Sequence, residues 1–546
     1  MRRLTTMLTL LVLLVTPLLA ADNPKANGNK DQFRQEDLKD WLGFIASDEL
    51  EGRATFSEGL GIAAQYIAGH LKAWGIKPGG DNGSYFQRVS VLGVNTTSHA
   101  SVTVETNGQT RTFNDGAGIT FPRNMGGKRT VTSDQIEFVG YGLALPQVKH
   151  DDYKGRNVKG KVAVFIGSGP ASIQAQAAQP GQQAQQGQPG QQGPNFFRAL
   201  GGRSRYAIDQ QGAIASIGVG GFGRGGRQQA GQDGGQPGQA AQQPGQQRGG
   251  EGQQTPPAGD NAGQQRGGQG GFGGPAVPTR SDFTTVQRLD SQIPPSVTAQ
   301  DEFFEFLFSG QEVKFAELKE KTAKREPLPG FTLKNVKVSF NVDPEYQVVR
   351  TQLTRNVVGI VEGSDPKLKD TYVAFGAHYD HVGYAEGEIV KTANGDRRAG
   401  AVGRVTAGAM NDRIWNGADD DGSGTVTLLS VAKAFATGAK PKRSLLFVWH
   451  AGEERGLWGS RYYADYPSIP IDHIVAQVNM DMVGRNNEDK AEEANTVYLV
   501  GSDRISTELH NITIDANDAL PKPLTLDFSA NDPADLEQIY YRSDHY

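Results

Sequence analysis

The 546-residue chain contains no cysteine. Disulfides, thiolate metal ligands and a cysteine nucleophile are therefore excluded, and any metal must be held through nitrogen and oxygen. A strong charge of one sign is also missing: 55 Lys and Arg stand against 60 Asp and Glu, for a formal net charge of -5. That balance leaves no electrostatic footprint for nucleic acid. Long apolar runs are lacking too, apart from Leu8–Leu19. This run follows Arg2 and Arg3, falls short of the ~20 residues that span a bilayer, and leads to small residues at Ala20 and Ala21. The pattern predicts a secretory signal peptide over residues 1–21. The mature protein is then expected to be exported, periplasmic or extracellular, with no transmembrane segment.

The length permits two or three domains. Over residues 22–95, apolar stripes at Leu38, Trp41, Leu42, Phe44 and Ile45, and at Ile62, Ala63, Tyr66, Ile67 and Leu71, predict helices. Runs such as HASVTVET, TRTFND, IEFVGYGLALP and VKGKVAVFIGS predict a separate, mostly β module over 96–340. That module is interrupted at about 171–278 by a tract dominated by Gly, Gln, Pro and Ala. Such a composition cannot bury enough apolar surface to offset the ~1–2 kcal/mol per residue cost of ordering a backbone. It reads as a disordered insertion, with an ordered island at Ser204–Gly221 that suits a helix followed by a strand. Over 341–546, near-continuous apolar strands at 356–361, 371–377, 444–449, 473–479 and 496–500 alternate with helices at 424–435 and 504–520. The alternation predicts an α/β fold, a three-layer sandwich with a mostly parallel central sheet, in which ligands bind beyond the carboxyl ends of the strands.

Four polar motifs fall at those strand ends. GAHYDHVG (376–383) places Asp380 two residues after His378, where a carboxylate can orient a metal-bound imidazole, and His381 is also available. NGADDDGSG (416–424) sets three aspartates before a helix, more acid than an N-cap requires, and one of them can bridge two metal ions. WHAGEERG (449–456) carries Glu453 and Glu454, whose side chains point in different directions, so one can bind metal while the other acts as a base. VNMDMVG (478–484) puts Asp481 beyond an apolar strand. Taken singly, each motif is also compatible with a polar cap or a solvated acid pair.

Their order resembles the co-catalytic zinc exopeptidases, the family of bacterial leucine-type aminopeptidases and yeast aminopeptidase Y, with glutamate carboxypeptidase as a relative. The segment ASDELEGRATFSEG is similar to the prelude of that family, and FVGYGLALPQVKHDDYKGRNVKGKVAVF resembles an inserted protease-associated domain. The resemblance implies two zinc ions. His378 and Asp481 are implied as ligands of one, Asp420 as the bridging carboxylate and Glu454 as a ligand of the second. Glu453 is implied as the general base and Asp380 as the residue orienting His378. The implied reaction is hydrolysis of N-terminal residues from peptide substrates by a metal-bridging water.

The family has a fifth ligand, a histidine lying well after a motif resembling RSDHY. Here RSDHY closes the sequence at Tyr546, and His545 matches an Asp-His pair that is not usually a ligand. The expectation is a fifth ligand beyond the end of this chain, a catalytic domain incomplete at its C-terminus and a weakly held second zinc. Competing readings are a carboxypeptidase or glutaminyl cyclase on the same fold, or a receptor-like peptide-binding protein. The intact set of four motifs favours two metals over the single zinc of a cyclase. No protein partner is identifiable.

Overall fold

A computed structural model describes residues 33–171, 196–219 and 280–546, apart from breaks at 393–394, 400, 402, 404, 406–407, 486–492, 533–534 and 536–537. The expected signal peptide and most of the Gly/Gln-rich tract lie outside the described residues. The N-terminal region folds as two helices, α1 (Gln35–Ile45) and α2 (Glu58–Ala73), joined by a tight turn over Asp48–Arg53. Ser57 caps α2 by accepting the Leu60 N–H at 3.1 Å. The buried stripe of α2 runs through Leu60, Ala63, Ala64, Ile67 and Leu71. Ile62, expected in that stripe, is 41% exposed because the helical period carries it off the buried face.

Five main strands follow: β1 (Phe86–Ser98), β2 (Pro344–Val361), β3 (Tyr372–His378), β4 (Ser444–His450) and β5 (Ile474–Asn479). They lie in the order β1-β2-β4-β3-β5, with the short strands Phe283–Thr285 on β1 and Lys77–Pro78 on β2. The sheet is mixed, not mostly parallel as expected: β3·β4 and β3·β5 are parallel, and the other four ladders are antiparallel. Near-continuous apolar runs report burial on both faces and say nothing of direction. β2 and β4 have such runs while lying antiparallel.

Side chains of this sheet alternate between two cores, as the strand period of two requires. Val357, Leu445, Phe447 and Trp449 pack with α1, α2 and α3 (Gly424–Thr437). Val358, Ile360, Leu446 and Val448 pack on the opposite face with Tyr463 of α4 (Trp458–Asp465). Helices on both faces make three layers. Truncating a fully buried member such as Trp449 should cost on the order of 3–5 kcal/mol.

Between β1 and β2 the chain builds a second unit with a core of its own. Strands Gln109–Asn114, Ser101–Thr106, Val336–Val342 and Arg129–Ser133 form an antiparallel sheet. A second sheet has parallel ladders linking Ile136–Val139, Val162–Val164, Ala215–Val219 and Ser296–Ala299. Val104, Phe138, Val164, Phe303 and Phe340 belong to one shared core. The island inside the insertion is a helical turn over Arg203–Gln210 followed by the strand Ala215–Val219.

Candidate metal centre

Because β3, β4 and β5 run parallel, their carboxyl ends open on one edge of the sheet, with His378 in register with His450 and Gly376 with Asn479. His378 closes β3, Glu453 and Glu454 sit in the turn after β4, and Asp481 follows β5. The turn entering α3 brings the three aspartates to the same edge.

Those aspartates do different things. Asp421 is fully buried and accepts the backbone N–H groups of His378 (3.1 Å), Gly424 (3.0 Å) and Met482 (3.1 Å), tying β3, α3 and the loop after β5 together. Burial holds its carboxyl well above the usual range. Asp419 accepts from the Gly484 N–H at 2.9 Å and the Ser423 hydroxyl at 3.1 Å. Asp420 faces the histidines: its Oδ1 lies 3.2 Å from His378 Nε2 and its Oδ2 3.9 Å from His381 Nδ1.

Two groups result, sharing Asp420: His378, Asp420 and Asp481, and His381, Asp420 and Glu454. In the first, Asp481 Oδ1 is 3.7 Å from His378 Nε2, and Ser543 holds the other Asp481 oxygen at 2.5 Å. His378 Nε2 is buried and has no partner with hydrogen-bond geometry, although carboxylate oxygens surround it at 3.2–3.8 Å. Donors of a tetrahedral zinc, bound at ~2.0–2.2 Å, stand about 3.3 Å apart. Lone pairs converging on a common point at such spacings fit a cation, and the nitrogen–oxygen set suits zinc.

Without a cation the local charges press on one another. Burial opposes charge on His378, but Asp420, Asp481, Asp421 and Glu453 together hold its pKa well above the usual value. Burial pushes Glu453 up to about 10 despite the attraction of His378. Burial likewise raises Asp380 to about 6.

Residues 356–546 match the model of Peptidase family M28. Aminopeptidase Y of Saccharomyces cerevisiae is 36% identical over 136 residues, covering 23% of this chain and 24% of that protein. A probable zinc metalloprotease of Pyrenophora tritici-repentis is 29% identical over 160 residues, 29% of this chain and 30% of that one. The chain thus spans less than a third of the length of either relative. The structure of a zinc aminopeptidase from Bacillus subtilis aligns at 14% identity over 91% of this chain and 80% of that one, with a TM-score of 0.33, too low to weigh on the fold.

Within the matched stretch the expected site residues His378, Asp420, Glu453, Glu454 and Asp481 gather at one sheet edge. Asp380 departs from its expected role. His378 Nδ1 meets the Asp380 backbone carbonyl at 3.0 Å, whereas the Asp380 carboxylate oxygen is 3.8 Å away. A carbonyl only accepts, so Nδ1 is the donor here and Nε2 is the nitrogen that would turn its lone pair to a bound cation. The carboxylate of Asp380 instead accepts the N–H groups of Gly452 (2.7 Å) and Glu453 (3.1 Å) and the Thr55 hydroxyl (3.0 Å). It therefore positions the Glu453 turn. His545 joins neither group; its ring lies 5.5 Å from that of Tyr540.

Arg53 received no role from the sequence. Its buried guanidinium donates to the carbonyls of Tyr379 (2.9 Å), Ile45 (2.5 Å), Asn416 (2.6 Å) and Gly417 (2.9 Å). It thereby clamps the His378–His381 segment to the turn carrying Asp420. Burial lowers its pKa to about 10, with Asp380, Asp421, Asp420 and Glu454 opposing the shift. Its position in the EGRATF prelude is the one signal that pointed toward it.

Proposed function

We propose that this chain is an exported, zinc-dependent aminopeptidase. The observation that carries the reading is the shared use of Asp420 by two histidine–carboxylate groups at the carboxyl ends of parallel strands. The M28 match and the names of the aminopeptidase and zinc metalloprotease relatives support it. His378, Asp420 and Asp481 would hold one zinc, and Asp420 and Glu454 the second. Zinc there would supply Lewis-acid polarisation of a scissile carbonyl and acidify water at neutral pH. Glu453 is the general base: its Oε2 is 3.8 Å from His378 Nε2, at the rim of the first group. A carboxyl held to about 10 by burial keeps its proton at neutral pH, so its work as a base depends on positive charge beside it. Asp380 holds the backbone N–H of Glu453 and so fixes where that base stands.

The module between β1 and β2 resembles a protease-associated domain in sequence, and we assign it a share in substrate access. Arg205 and Asp209 from its helical turn line the same cleft as Asp420, Glu453 and Tyr541. Export rests on the N-terminal run alone; among the described residues no helix is long and apolar enough to cross a membrane.

The test is hydrolysis of leucine p-nitroanilide, compared with an N-blocked peptide and an N-terminal glutaminyl peptide. Release of nitroaniline that chelator abolishes and zinc restores supports the reading. Cleavage of only the blocked peptide identifies a carboxypeptidase, cyclisation of only the glutaminyl peptide a cyclase, and metal binding without turnover a binding protein. Each of those three results overturns the aminopeptidase assignment.

A further inference from the structure

We propose that the cleft carries a docking wall for acidic stretches of peptide substrates, built from Arg123, Arg280 and Arg350 where the second unit joins the main sheet. The inference deepens the peptidase reading above and rests on it.

The lining of the cleft is uneven in charge. Among the described residues, nine arginines and no lysine border it. Apart from Asp420, Glu453, Glu454 and Asp481 at the sheet edge, four acids stand against them. The whole chain has a net charge of -5, so the positive surplus is local. The residue type matters as well as the sign. A guanidinium fork meets a carboxylate through two parallel hydrogen bonds, whereas an ammonium acts as a point charge.

Local structure explains why Arg350 faces the cleft. Gly93 of β1 lies in register with Thr284 on one side and with Arg350 of β2 on the other. A Cβ at Gly93 would come within 3.2 Å of the Cβ atoms of Arg350 and Ser281, so glycine lets the flanking chains approach closely. The β1–β2 register shifts between Val348 and Arg350, an extra residue of the kind that re-aims a side chain. Arg280 and Arg350 are exposed, and neither guanidinium makes an ion pair or hydrogen bond among the described residues. Asp282, the acid of this wall, is already engaged: its Oδ2 accepts the Thr96 N–H at 2.8 Å. Arg123 is tethered beside it, its carbonyl accepting the Thr96 hydroxyl at 2.9 Å. Val286 and Trp458, which pack together, continue the lining toward Glu453. The wall therefore reads substrate side chains remote from the cleaved bond. A cleft of one sign concentrates ligands of the other, and salt screens the effect.

The experiment measures fluorescence anisotropy of dye-labelled, N-blocked oligoglutamate and oligolysine peptides on zinc-loaded full-length protein. The acidic peptide should bind about 10-fold or more tighter at low salt, and the preference should collapse at high salt. Arg280→Gln and Arg350→Gln should each narrow the ratio, and the double variant R280E/R350E should erase it. The glutamine variants decide the matter if the charge reversal does not fold. Overall charge favours the basic peptide, so equal or tighter binding of oligolysine would overturn the inference. A ratio unmoved by these substitutions would overturn it too. Tighter binding of a labelled oligothymidylate than of oligoglutamate would assign the wall to nucleic acid instead. None of these readouts needs turnover. Absent nitroanilide hydrolysis would sink the aminopeptidase assignment and leave the wall standing, whereas hydrolysis without acidic preference would do the reverse.

Discussion

Asp421 accepts three backbone N–H groups from three segments, while Asp420 beside it accepts none of them and faces two imidazoles. Substitutions should separate the two kinds of work. Asp421→Asn points amide hydrogens at N–H donors, and we expect it to cost about 2–4 kcal/mol of stability in urea unfolding of the metal-free protein. An unchanged midpoint would contradict that structural role. Glu453→Gln keeps the shape of the base and removes its basicity. It should retain zinc and lose turnover by about 10²–10⁴-fold, measured as steady-state nitroanilide hydrolysis; near-wild-type turnover would contradict the assignment. The sequence makes a cluster of acids at a helix entry visible, but not which of three adjacent side chains faces the centre. Neighbouring residues in non-helical backbone point in different directions. The choice of Asp420 therefore came from the family pattern, and contacts with residues some forty positions away distinguish it physically.

At the scale of elements, the tight turn between α1 and α2 shapes the centre without touching it. Arg53 gathers carbonyls from α1, from the segment after β3 and from the turn before α3. Arg53→Ala would strand buried acceptors, and we expect a loss on the order of 3 kcal/mol in chemical denaturation together with weaker zinc binding. Arg53→Lys should recover only part of it, because an ammonium cannot reproduce the guanidinium fork. Full stability in Arg53→Ala would refute the clamp. A lone arginine in a polar turn reads in sequence as a solvated residue, since its partners Tyr379, Asn416 and Gly417 lie more than 320 positions away. Strands were legible for the opposite reason: apolar runs such as SLLFVW carry their own signal. Their directions were not, because β2 and β4 bury both faces whichever way they run.

At the scale of the whole molecule, one edge of a mixed sheet, a helical turn from the second unit and the C-terminal segment converge on one cleft. Gln210 contacts Tyr541, and Arg504 donates to Gln210 at 2.9 Å, so the second unit reaches the C-terminal part of the chain through side chains. The concentration of charge has a consequence for stability. Glu453, raised by burial from 4.5 to about 10, and His378, held up by its carboxylates, bind more protons folded than unfolded in the metal-free protein. Their contribution is present at low pH and is lost as pH rises from 4.5 toward 10. Asp420 and Asp481, whose pKa values are depressed, act oppositely and only below their usual 3.8. The metal-free protein should therefore lose Tm from about pH 6 to 9, and zinc should restore most where the loss is greatest. A metal-free Tm that climbs over this range would contradict the account. The most direct test of the central claim, that one carboxylate serves two cations, is isothermal titration of zinc into metal-depleted wild type and Asp420→Ala. The account predicts two equivalents for the wild type and weakening of both in the variant; retention of either equivalent at wild-type affinity would contradict it.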